Sequence, residues 1–76
     1  MKYNNCLIES EDWLFSIKDK IHVVGITNEE IDNYELEDLI DIKIKKCIEP
    51  IKIKCDNKLY KYFIEKNPDN IFILIK

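Results

Sequence analysis

A chain of 76 residues makes one domain, residues 1–76, and at this length only roughly 60–65% of the unfolded surface is buried, so stability is thin. With 46% hydrophobic and 36% charged residues, one glycine and two prolines, the chain is globular, with no flexible linker or low-complexity tail. Its net charge of −3 includes no arginine, which argues against base-specific nucleic-acid recognition, and no run nears the roughly 18 apolar residues of a membrane span.

The first interpretable run is Trp13–Ile17, "WLFSI", a strand rich in aromatic and β-branched residues. Polar "KDK" follows and then "IHVVGI" from Ile21, which predicts a hairpin with a short turn. Gly25, the single glycine, is expected at a backbone position that disfavours a side chain. Thr27–Glu30, "TNEE", is a capping box: the threonine hydroxyl and the glutamate carboxylate can each satisfy the other's amide. A helix of about two turns should follow, with Ile31 and Tyr34 facing inward.

Leu39–Lys45, "LIDIKIK", alternates strictly, with Ile40, Ile42 and Ile44 on one face and Asp41, Lys43 and Lys45 on the other. That pattern predicts a half-buried strand. "IEPIKIKC" repeats it through Ile51, Ile53 and Cys55, and Pro50 is compatible with a strand start or edge. Asp56 or Asn57 can cap a second helix, "KLYKYFIEK", which ends at "NPDN" because Pro68 cannot continue it. The last run, "IFILI", is near-continuously apolar and is expected as a central strand.

Cys6, Cys47 and Cys55 are an odd set with no C-x-x-C spacing, so reduced thiols are expected instead of a disulfide framework, and zinc ligation with His22 lacks ligand spacing. No N-terminal apolar core with a small-residue cleavage site is present. A cytoplasmic protein is therefore expected. Residues 1–42 hold eleven acids against three lysines, and residues 43–76 hold nine lysines against four acids. This asymmetry points to a protein partner.

The ordered set "EDW" (Glu11–Trp13), "VGIT" (Val24–Thr27) and "LEDLIDIKI" (Leu36–Ile44) resembles the H protein of the glycine cleavage system, and so do "IEPIKIK" and the closing "YFIEKNPDNIFILIK". The resemblance spans Leu7–Lys76. It implies a β-rich α+β fold with two short helices, a small barrel-sandwich hybrid like a truncated lipoyl domain. The departures are as informative. The family's E-[ST]-V-K hairpin, whose lysine is lipoylated, has no counterpart, and "IKIKKCIEPIKIK" joins the flanking strands directly. The family's first histidine is Glu11 here, and its L-G-D glycine is Glu37. Lys43 falls mid-strand on this reading, so Lys45 and Lys46, beside the turn at Glu49-Pro50, are the better substitutes for the lipoylated lysine.

The remaining chemistry is sparse. The dense carboxylates of 29–38 read as a solvated face, Ser10 and Ser16 lack a nucleophile-elbow context, and one glycine cannot build a phosphate loop. No enzyme, metal site or cofactor is expected. The expected function is a non-lipoylated, H-protein-like module that docks without carrying. Its acidic face, Glu29, Glu30, Glu35, Glu37, Asp38 and Asp41, would scaffold or regulate glycine cleavage or lipoate-handling enzymes. The alternatives are an unrelated binding or inhibitor protein from a mobile element on the same fold, or a lipoyl carrier using Lys45 or Lys46. Loss of the hairpin would also expose sheet edges, which a homodimer would cover.

Overall fold

The computed structural model describes residues 3–75, and its strands run in the order β3-β2-β1-β4-β5 within a single mixed sheet. The chain begins with β1 (Cys6–Glu9), turns back into β2 (Leu14–Ile17) and then β3 (Ile21–Val24), three successive antiparallel strands. Helices α1 (Asn28–Asn33) and α2 (Leu36–Lys46) follow, and the chain returns through β4 (Ile51–Lys54) antiparallel to β1. Helix α3 (Asn57–Lys66) then crosses over to β5 (Phe72–Leu74), which lies parallel to β4.

One face of this sheet makes the core. Cys6 and Ile17, Ile8 and Phe15, and Ile8 and Ile53 are cross-strand partners, and all are buried together with Ile51. Against them pack Leu39, Ile40 and Ile44 of α2 and Leu59 and Phe63 of α3, with Tyr3 and Trp13 closing the cluster. The other face carries Leu7, Glu9, Leu14 and Ser16, half-buried, beside exposed Lys52 and Lys54. The architecture is therefore two-layered, with helices over one face of one sheet. It does not show the barrel-sandwich hybrid expected from the sequence, and the described helices are three, not two.

The largest correction concerns Leu39–Lys45, which is not a strand but the body of α2. The Ile40/Ile42/Ile44 alternation hid a second pattern. Ile40 and Ile44 are four apart and so share a face in either period. Leu36 joins them in either period, but only the helical period also places Leu39 and Cys47 on that face, and all of these pack in or against the core. The stretch has no Gly or Pro to stop a helix, and it starts with Glu37 and Asp38 and ends with Lys43, Lys45 and Lys46, charges that match the helix dipole. The C-terminal end is closed from a distance. Asn70 Nδ2 donates to the carbonyls of Ile44 (2.8 Å), which also accepts from the Cys47 amide at 3.2 Å, and Cys47 (3.1 Å).

Two further expectations fail. "IFILI" supplies β5, an edge strand and not a central one, because among the described strands it pairs with β4 alone. Ile31 and Tyr34 do not face inward: α1 buries no residue. The central strand is instead β1, a segment for which the sequence reading made no strand assignment.

The hairpin of β2 and β3, the β4 strand, the Asp56 cap and the end of α3 before Pro68 all stand as expected. Gly25 has a φ of +76°, and a Cβ there would lie 1.9 Å from the Asp12 carbonyl oxygen. Both the conformation and the close approach exclude a side chain.

Candidate docking face on α1 and α2

Helix α1 exists because its ends are satisfied locally. Thr27 Oγ1 accepts from the Glu30 amide at 3.1 Å and donates to Glu30 Oε1, while the same carboxylate accepts from the Thr27 amide at 3.2 Å. The other Glu30 oxygen meets Lys43 Nζ of α2 at 2.9 Å. This ion pair, with the Thr27 bonds next, holds the Glu30 carboxyl below its ordinary range. Glu30 is thus a local clasp between α1 and α2, and so is Lys43.

Asp41 is likewise engaged. Its Oδ1 accepts from the Tyr3 hydroxyl at 2.5 Å, and its Oδ2 faces Lys66 Nζ of α3 at 3.7 Å. Lys66 also donates to the Tyr62 hydroxyl at 2.9 Å and lies 5.3 Å from the centre of that ring. Burial, then the bond to Asp41, pushes the Tyr3 phenol far above its ordinary value. The Tyr3 ring packs 5.3 Å from Phe63. The set Tyr3, Asp41, Tyr62 and Lys66 ties the start of the chain to both long helices. Sequence reasoning missed it, since Tyr3 and Asp41 are 38 positions apart and no local signal links them.

Of the six acids expected on the partner face, Glu29, Glu35 and Asp38 are exposed, and Glu37 is half-buried. Glu30 and Asp41 serve the internal contacts above. Between the exposed acids lie two apolar side chains the sequence reading had placed inside: Ile31 is 47% exposed and Tyr34 is 49% exposed. They stand three residues apart on α1 and its cap, so they share a side of the helix. Tyr34 also borders a groove whose other walls are Asp38, Asp41, Ile42, Lys45, Lys66 and Asn67. The exposed charged residues nearest them along the chain, Glu29, Asp32, Glu35 and Asp38, are all acidic, while the groove itself sets Asp38 and Asp41 against Lys45 and Lys66.

Lys45 and Lys46 are exposed in the last turn of α2, not at a hairpin tip. Among the described residues no group of three His, Cys, Asp or Glu side chains is placed to hold a metal ion. Among the same residues no helix is long and apolar enough to cross a membrane. Ser10 Oγ lies 3.3 Å from Cys47 Sγ, and His22 is exposed on β3. Comparison with protein-family models, with curated proteins and with solved structures finds no match to this chain.

Proposed function

We propose that this chain is a non-enzymatic protein-binding module that recognises a basic partner protein through α1 and the first turns of α2. The observation that carries this reading is the pair Ile31 and Tyr34, exposed at 47% and 49% in a segment whose exposed charged residues, Glu29, Asp32, Glu35 and Asp38, are all acidic. Interfaces concentrate affinity in a few aromatic or aliphatic anchors surrounded by polar residues that exclude water. Those acids select a partner surface rich in lysine or arginine and speed the encounter. The module binds, and in binding scaffolds or regulates that partner. With all three cysteines as free thiols it suits a reducing compartment, the cytoplasm.

The resemblance to H proteins named glycine cleavage or lipoate-handling enzymes as that partner. Part of that resemblance rested on Leu36–Ile44 as a strand in a sandwich, and this segment belongs to a helix over a single sheet. The partner is accordingly defined by its chemistry, and those enzymes become one outcome of the test.

The test pairs three tagged proteins: the native chain, Ile31→Ser/Tyr34→Ala, and Glu29→Lys/Asp38→Lys. One basic protein retained by the first and lost from both variants, and binding the purified native module with an affinity that falls as salt rises, supports the reading. Retention by all three alike refutes it.

A second reading concerns β3. Among the described strands it pairs only with β2, and Ile21 and Val24 on it are 57% and 50% exposed. Such an edge fits a homodimer formed by strand addition. A concentration-independent monomer mass by light scattering excludes it.

A further inference from the structure

The antiparallel register of β1 and β4 pairs Leu7 with Lys54, Ile8 with Ile53 and Glu9 with Lys52. Extending it by one position sets Cys6 opposite Cys55, immediately after β4. The type of pair follows from the other side of β4. Ile51 donates its amide to Ile71 of the β5 side, and the Ile53 carbonyl accepts from Ile75. The polar backbone groups of Ile51 and Ile53 therefore point to β5, and those of Lys52 and Lys54 point to β1. Ile8–Ile53 and Cys6–Cys55 are then the pairs without direct backbone bonds between them. In such pairs the Cα atoms approach to about 4.5 Å. That value lies within the roughly 4.4–6.8 Å span that disulfides bridge. The two thiols are close enough for each to influence the titration of the other.

We infer that Cys6 and Cys55 form a dithiol site that a low-molecular-weight disulfide oxidises to an intramolecular disulfide joining β1 to β4. The order of attack follows from exposure: Cys55 is half-buried, whereas Cys6 is 4% exposed and out of reach of an external disulfide. The Cys55 thiolate attacks one sulfur of the small disulfide, whose S–S bond breaks and releases one thiolate. Cys6 then attacks the Cys55 sulfur and expels the second thiolate. Two protein thiols lose two protons and two electrons, and the small disulfide is reduced to two thiols. Transient dithiol oxidation of this kind is how disulfides arise in reducing compartments. Cys47, at the end of α2, is bonded to Ser10 and to the Glu49 carbonyl and takes no part. Burial pushes the Cys6 thiol up to about 12 and raises Cys55 as well, so the exchange is slow at neutral pH and is best followed near pH 9.

The experiment treats the folded, reduced chain with oxidised glutathione at about pH 9, traps remaining thiols by alkylation and maps the peptides by mass spectrometry. The expected product is a Cys6–Cys55 link with a loss of about 2 Da, Cys47 still alkylated, and a thermal midpoint that rises and returns on reduction. A Cys6→Ser chain is expected to stop at a glutathione adduct on Cys55. A stalled adduct on the native chain, a link that includes Cys47, or a Cys6–Cys55 link that forms only in denaturant would each overturn the inference.

Discussion

Helices α1 and α3 start in the same way and are held in opposite ways. Each opens with an oxygen side chain that accepts from the backbone three residues on, Thr27 for α1 and Asp56 for α3. Helix α3 then buries Leu59 and Phe63 in the core, while α1 buries nothing and leans on α2 through Glu30 and Lys43. A cap can start a helix, but only buried apolar surface fastens it to the domain. The consequence is a division of labour. The α3 side is scaffold, whereas α1 is a lightly attached element whose apolar side chains remain available.

The comparison can be broken most severely at Phe63. It is fully buried and touches the Tyr3 and Phe72 rings at 5.3 and 6.5 Å. Phe63→Ala should cost about 3–5 kcal/mol, a large share of what so short a domain holds. A thermal melt is expected to drop by at least roughly 12 °C or lose its cooperative transition. Next comes Gly25→Ala, which forces a side chain into the Asp12 carbonyl at a positive φ. A loss of about 3 kcal/mol is expected, read as a lower midpoint in urea.

Asn70→Ala is milder. It strips the two carbonyl partners at the end of α2 and should cost about 1–2 kcal/mol, with faster amide exchange spreading from the last turn of α2.

Thr27→Ala sharpens the contrast, since it should cost about 1 kcal/mol of the stability of α1 itself. Amides of α1 are then expected to lose protection while the global melt stays nearly unchanged. The corresponding Asp56→Ala change should move the global melt, because α3 is part of the core.

Acid offers the gentlest test. The Glu30 carboxyl is held low by Lys43 and Thr27, so its contribution is complete above the unfolded glutamate value of about 4.3 and is lost as pH falls through the lower folded value. Between those limits the amide signals of α1 should broaden or shift before those of α3. Simultaneous loss of both helices would show that α1 is more firmly tied than the Glu30–Lys43 pair implies.

The amino-acid sequence alone determined the features whose causes lie within three or four residues. These are the Thr27 capping box, the Asp56 cap, the stop before Pro68, the β2–β3 hairpin and the special backbone of Gly25. Each is a bond or a steric rule between near neighbours, so the letters suffice. Tertiary structure decided the rest. Leu36, Ile40 and Ile44 satisfy both periods, and the core chose the helix by taking Leu39 and Cys47 with them and leaving Ile42 outside the buried cluster. Residues 71–75 are apolar enough for a centre, yet pairing with β4 alone among the described strands left β5 at the edge. The candidate docking face depends on the same distant choices. Ile31 and Tyr34 have the spacing of an inward face, and they are exposed because α2 and α3, not α1, fill the only buried side of the sheet among the described residues.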